Sequence, residues 1–443
     1  MPLHHALPRL LRDPMAALVH LGNRYGGEIV RLNLGTFRPY LVTHPEHLVQ
    51  VLRDTDSYIR DGESLLWRPI RRAVGDAILV TEGRLWESSR QTLQPLFTAK
   101  RVETLVDRMA EAIGEAADVL DEPARTGEPV DVGALMSQIV CRPTTRVLFG
   151  RKISVEDALQ INAGLETITT TMMPRLLAPG VPYHIRMPGD RAFHDAVRRI
   201  DEVVLPIIRK ARREPDDGDD IIATLCRPRQ DGTDPGEAQI RGDVVAMFST
   251  ATETTIAVLS WLWPVLEAYP EVAARLYAEV DQVVGSGPVD RASLAGLRYS
   301  RMVLDELLRL WPAGWMIPRT AVGEQVLGGV RLEAGATILV SPYVTQRMEA
   351  FWERPEAFDP ERFSPDRPKR HYRYSYFPFG GGPHQCIGQY LFLLEAPIIM
   401  ATLLSRFRFR LGRAADLKPR LGASLKPRAN QLTLVPRDRS PVP

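Results

Sequence analysis

One cysteine stands in a setting suited to chemistry. Cys386 closes the stretch Phe377-Pro378-Phe379-Gly380-Gly381-Gly382-Pro383-His384-Gln385-Cys386, and an apolar run follows Gly388. If that run, QYLFLLEAPIIMATLL, forms a helix, the thiol sits near its N-terminus. There the dipole and free backbone N–H groups favour the thiolate. The glycines allow positive-φ turns and close approach of backbone to a bulky flat group, over which Phe379 could pack. A buried structural cysteine is the commoner role for such a residue. A nucleophile would need an activating base, and His384 is two residues away. Zinc is poorly supported, because no second cysteine or CxxC lies near. A lone soft thiolate in an apolar, glycine-lined loop fits haem iron best.

The rest of the composition narrows the field. The 443 residues carry 56 Lys+Arg against 54 Asp+Glu, a net charge of +2. That near balance argues against nucleic-acid binding driven by bulk charge. Three scattered cysteines, Cys141, Cys226 and Cys386, cannot make a disulfide framework and suit a reducing compartment, so the expected location is the cytoplasm. The first 27 residues hold no apolar run long enough for a signal-peptide core or a membrane anchor. The most membrane-like segment is Val244 to Leu266, but Glu253, Ser249, four threonines and Pro264 interrupt it. It reads as a buried core helix, kinked or ended by Pro264.

These groups need elements to hold them. Short strands are expected over Glu28 to Leu34 and Tyr40 to Val42, and a helix from Pro45, with Pro at its first position. From about Leu85 to Leu205 the pattern is helical, as in RVETLVDRMAEAIGEAADVL. The Pro- and Gly-rich stretch 174–190 breaks it, as a covering loop or a linker. Charged loops around 213–220 and 227–237 flank a short helix, DDIIATLC, and long helices then run to Trp311. Strands and irregular chain follow Leu327, with a helix after Gly388 and a terminal strand in LTLVPR. The fold class is mainly α with a smaller β region (α+β).

The loop Phe379-Gly-Gly-Gly382-Pro-His-Gln-Cys386-Ile-Gly388 resembles the haem-binding signature of the cytochrome P450 superfamily, soluble bacterial type. Phe379, Gly382, Cys386 and Gly388 occupy its fixed positions. Three further motifs agree in order and spacing. Glu306 and Arg309 form an E-x-x-R pair that would meet on one helix face. Alone it reads as a surface ion pair of little worth. FDPERF, Phe358 to Phe363, implies that Arg362 completes a buried structural Glu-Arg-Arg cluster. Thr250-Ala251-Thr252-Glu253-Thr254 is similar to the family's oxygen-activation segment, with Glu253 as acid and Thr254 as alcohol. Thr250 and Ala251 depart from the usual small residue and glycine. The added methyl of Ala251 would narrow the groove beside the cofactor.

The resemblance spans roughly residues 28–410. It implies one triangular prism-shaped domain over 1–443, with 1–27 an N-terminal extension and 411–443 a C-terminal β segment and tail. It implies haem b with Cys386 on the iron, and Trp86, Arg90, Arg319 and His384 near the propionates. A haem-thiolate monooxygenase is implied, inserting one atom of O2 into a hydrophobic small molecule by hydroxylation or epoxidation. A terpenoid, polyketide or fatty-acid derivative would suit, in secondary metabolism, and Trp86-x-x-x-Arg90 tilts the choice to terpenoids. Substrate-facing positions fall in 65–79, 168–173, 246–247 and 313–317, including Trp67, Met172, Met173, Ala246, Met247, Trp315 and Met316. With no fused reductase and no anchor, electrons would come from a ferredoxin and ferredoxin reductase with NAD(P)H. The ferredoxin would dock on a monomer near Arg84, Arg90 and Arg101. A peroxide-dependent peroxygenase, a haem-thiolate isomerase or dehydratase, and a non-catalytic haem sensor are the alternatives.

Overall fold

The computed structural model describes residues 12–437, apart from 36, 179, 230–233, 286, 368–371, 413 and 429–430. Residues 1–11 of the expected N-terminal extension and 438–443 of the expected tail lie outside the described residues.

The chain is mainly helical with a smaller β part. The longest sheet has five strands in the order Val30–Arg31, Tyr40–Val42, Thr337–Val340, Ile317–Ala321, Tyr58–Ile59. Tyr40–Val42 pairs in parallel with Thr337–Val340 and the other neighbours are antiparallel. The strand region therefore opens at Ile317, ten residues before the sequence suggested. Pro318 hides it in a pattern scan, although its neighbours Ile317, Arg319 and Ala321 alternate. The terminal strand Gln431–Pro436 lies between Phe407–Leu411 and Val130–Asp131.

The helix Glu237–Ser260 runs through the main apolar core, buried from Ile240 to Phe248 and again from Thr255 to Ser260. It breaks at Trp261 and resumes as Leu262–Ala268. Pro264 accounts for the break: it lacks an N–H, and its ring would meet the carbonyl four residues back, at Ser260. Glu237–Ala268 is the one helical stretch among the described residues long and apolar enough to cross a membrane, and 72% of its most apolar window is buried inside the protein.

The helix after the cysteine loop, Gln389–Arg406, is buried almost throughout from Glu395 to Ser405. Pro397 leaves the Leu393 carbonyl without its helical donor, and the Arg301 guanidinium fills the place at 3.3 Å. The stretch 174–190 is folded back on itself. The Arg175 guanidinium donates to the carbonyls of Val181, Pro182 and Ile185 and to the Asp190 carboxylate. Tyr183 is held between Arg72 and Arg175, with its ring centroid 4.3 and 4.6 Å from their guanidinium carbons.

Candidate active site

The cysteine loop is fixed from three sides. Its backbone closes on itself, the Cys386 N–H donating to the Phe379 carbonyl at 2.9 Å. Gly382 has φ +69°, and a side chain there would drive a Cβ to 1.9 Å from the Leu52 carbonyl oxygen. That glycine therefore gives clearance to the end of the helix Pro45–Arg53. Arg90 braces the loop from the helix Gly83–Leu93, donating to the Gln385 carbonyl at 3.0 Å.

The third brace starts at the Glu306–Arg309 pair on the helix Arg298–Leu310, and both side chains are wholly buried. The guanidinium forks onto the carboxylate at 2.6 and 2.8 Å, the bidentate geometry that makes such pairs strong. It also donates to the carbonyls of Gln346, Pro355 and Ala357. Arg362 lies 3.4 Å from Glu306, and the Asp359 N–H donates to the same carboxylate. Gln346 continues the chain of contacts. Its amide donates to the carbonyls of Leu308 and Arg309, and its own carbonyl accepts the Phe377 N–H at 2.9 Å, where the cysteine loop begins. Gln346 belongs to no motif, and sequence reasoning misses it.

A cavity of about 300 Å³ lies between this loop and the central helix. Cys386, Phe379, Gly388, His384, Trp86, Arg90, Arg319, Trp67, Ala246, Met247, Thr250, Ala251 and Thr254 line it. Ile78, Leu79, Ala313, Gly314 and Ile317 add apolar or small wall. Four expected pocket residues do not line it. Trp315 turns away and donates its indole N–H to the Gly422 carbonyl at 3.0 Å. Met316 packs in the cluster around the N-terminal sheet, Met172 is buried between helices, and Met173 opens the short helix Met173–Leu177. Glu253 and Gly382 are also outside the cavity wall.

Cys386 has exposed surface, yet its thiol is enclosed by protein. The surface it exposes is cavity surface. Burial pushes its pKa up, opposed by the backbone N–H groups of Gly388 and Gln389 and by Arg90. Arg60 also reaches the cavity, and no motif marked it. Arg60 is buried beside Arg319, and burial first and Arg319 second push its guanidinium down to about 9. Burial likewise pushes Arg319 down to about 10. Among the described residues, the Nε atoms of both have no hydrogen-bond partner, and only Glu82 stands near as a counter-charge, 3.6 Å from Arg60. Two crowded guanidinium groups facing a cavity beside a thiol suit a ligand that carries carboxylates and a thiophilic metal. Haem meets that description.

His384 lines the cavity, but both its ring nitrogens face protein groups. Nδ1 is 2.5 Å from Arg60 and Nε2 is 2.9 Å from Glu82. It braces Arg60, with Trp86 edge-on to its ring at 4.2 Å.

The comparisons with known proteins agree with this arrangement. The family model described as Cytochrome P450 matches residues 3–434. The chain is a cytochrome P450. Cyclooctat-9-en-7-ol 5-monooxygenase of Streptomyces melanosporofaciens is 32% identical over 404 residues, 90% of this chain and 86% of that protein. Pentalenene oxygenase of Streptomyces avermitilis is 27% identical over 431 residues, 97% and 94% of the two chains. The crystal structure of the cytochrome P450DA heme domain superposes with a TM-score of 0.83 at 21% identity, covering 98% and 96% of the two chains. This P450 has the haem-domain fold, carries haem with an axial cysteine thiolate on iron, and is a monooxygenase.

Two buried acids flank the P450 cavity. Glu395 lines it on the helix after the cysteine loop and accepts a hydrogen bond from the Thr144 hydroxyl at 2.9 Å. Burial pushes its pKa up to about 7. A carboxyl raised in the folded state releases its proton later than in the unfolded chain, where the value is about 4.3. Its contribution is neutral below the unfolded value and becomes destabilising as pH rises from there through about 7. Glu395→Gln is therefore expected to raise thermal stability at pH 8 and to leave it unchanged near pH 4, read as melting temperature against pH. Glu253 is the second acid. Its pKa is also raised by burial, with Lys426 opposing and Glu166 adding to the rise.

Proposed function

We propose that this P450 hydroxylates or epoxidises a terpenoid in secondary metabolism. The single observation that carries the reading is the cavity itself. A thiol and two crowded guanidinium groups line it together with an apolar wall of Trp67, Ile78, Leu79, Ala246, Met247, Ala313 and Ile317. The names of the two Streptomyces relatives, an oxygenase of pentalenene and a monooxygenase of cyclooctat-9-en-7-ol, favour a cyclic terpenoid over the other lipophiles. We read residues 1–443 as one catalytic domain.

The bound haem supplies the reductive activation of O2 and the transfer of one oxygen atom to the substrate. Cys386 would hold its iron, while Arg60, Arg90, Arg319 and Trp86 would hold its carboxylates. The apolar wall binds the substrate by burying its surface and excludes water. Thr254 presents a hydroxyl to the cavity, its hydrogen shared with the Thr250 carbonyl at 2.6 Å. The oxygen keeps lone pairs to accept one proton and pass on another. Glu253 is the next acid along the helix and restores the proton. Acid–alcohol delivery of this kind contributes roughly 10²–10⁴-fold. Thr254→Ala is expected to lower product formed per NAD(P)H consumed by up to ~10²-fold, with NAD(P)H oxidation continuing. Unchanged coupling would remove Thr254 from the relay.

Electrons would reach a cytoplasmic monomer from a ferredoxin and its reductase. Of the three cations suggested for docking, Arg90 is committed to the loop and Arg101 is paired with Asp219. Arg84 is the exposed one. The deciding experiment is spectral titration of the ferric enzyme with cyclic terpenes, polyketides and fatty acids. Terpenes are expected to give the low- to high-spin shift at micromolar concentration. A response to fatty acids alone would overturn the terpenoid reading.

A further inference from the structure

Glu253 and Thr254 are adjacent on a helix, so their side chains leave it about 100° apart. Thr254 faces the cavity and Glu253 does not. What Glu253 faces is Lys426, 3.7 Å away, with both side chains largely shielded from solvent. Lys426 lies on the second strand of a two-stranded antiparallel hairpin, Pro419–Arg420 with Lys426–Pro427, which packs on the central helix. Two tryptophans anchor the hairpin. Trp261, at the break in the central helix, donates its indole N–H to the Leu425 carbonyl at 2.9 Å, and Trp315 donates to the Gly422 carbonyl at 3.0 Å. Leu425, next to the lysine, is fully buried. The ammonium group is thus set by the hairpin, independently of the helix that carries the acid.

We propose that Lys426 is a positioning residue for Glu253, holding its carboxyl group on the face of the central helix beside Thr254 and easing the release of its proton. This rests on the role given to Glu253 above. Among the described residues, two charged groups face Glu253 from neighbouring elements: Lys426 from the hairpin, and Glu166 from the helix Val155–Thr171. Burial and Glu166 favour the neutral acid, and Lys426 favours the carboxylate. Without it the acid would stay protonated over a wider pH range and hold no fixed direction. An opposite charge at such a distance moves a carboxyl pKa by roughly one unit or more.

The test uses the haem-loaded enzyme and pH-difference infrared spectra. The band of interest is the protonated-carboxyl band that Glu253→Gln removes. Lys426→Met is expected to move the midpoint of that band up by about one pH unit, and Lys426→Gln, a polar variant without the charge, should do the same. Lys426→Arg should restore the wild-type midpoint. The pH profile of product formed per NAD(P)H should shift in parallel, and Lys426→Met should add nothing in a Glu253→Gln background. An unmoved midpoint in both neutral variants overturns the proposal. So does a shift of equal size in Lys426→Arg, which would report loosened packing, or a further loss of coupling in the double variant. If Glu253→Gln itself leaves coupling intact, the role of the acid fails, whatever the infrared midpoint does.

Discussion

Cys386→Ser is expected to abolish the red-shifted Soret band of the reduced, carbon-monoxide-bound protein and to bring product formation to background. Serine keeps the size and the loop, and the Cys386 N–H to Phe379 bond would survive because it is a backbone contact. What is lost is a soft, polarisable anion. An alcohol at this position stays protonated at neutral pH and is a poor partner for iron. The other cysteines cannot replace it. Cys141 is buried away from the cavity wall, its pKa pushed up to about 12 by burial and then by Glu395. Cys226 sits on the short helix Ile221–Cys226, also outside that wall. A variant that retains the red-shifted band would show that the iron is held elsewhere. The circular dichroism of Cys386→Ser should match the wild type, which separates loss of the ligand from loss of the fold.

Glu306→Ala should be the most damaging substitution outside the cavity. It removes the one carboxylate shared by Arg309 and Arg362 and leaves a wholly buried guanidinium uncompensated. Breaking a buried pair from one side costs about 3–5 kcal/mol, a large part of the ~5–15 kcal/mol that holds a typical domain together. The expected readout is a lower denaturant midpoint with an unchanged slope. A mixture of thiolate-ligated and unligated spectra in the carbon monoxide assay should accompany it, because the same arginine reaches the cysteine loop through Gln346. Arg362→Lys should be far milder, since its contact with Glu306 is longer and single. Equal damage from the two would mean that the cluster acts as a whole and that the fork at Arg309 has no special weight.

Some of this site could be read from the chain because rare residue types stand at fixed separations. Cys386 with its glycines, Glu306 with Arg309, and Glu253 with Thr254 are each set by one element, so spacing alone brings their positions together. The pocket wall is different. Residues 313–316 are irregular chain leading into the strand Ile317–Ala321, so no helix or strand period sets which way each side chain points. A contiguous window there takes in residues that pack elsewhere, as Trp315 and Met316 do. Met172 and Met173 fall where two helices meet, and the packing between them is not encoded in either one. Arg60 carried no signal, being a single arginine in a loop that reaches the cavity through tertiary folding. Glu395 did leave a trace, as an acid inside an otherwise apolar helix. Acids are almost never fully buried without a partner or a task, so one in such a run marks a position to test.

The contact between Gln346 and the Phe377 N–H has a consequence for biogenesis. The cysteine loop is held by Gln346, by Arg90 and by its fit against Leu52, and all three are protein-to-protein contacts. The socket is therefore expected to be preorganised before its cofactor arrives. Apoprotein made under haem starvation should already keep a protected Phe377 amide in hydrogen exchange. It should then take up added haem without a refolding step, and loading would be limited by entry into the cavity.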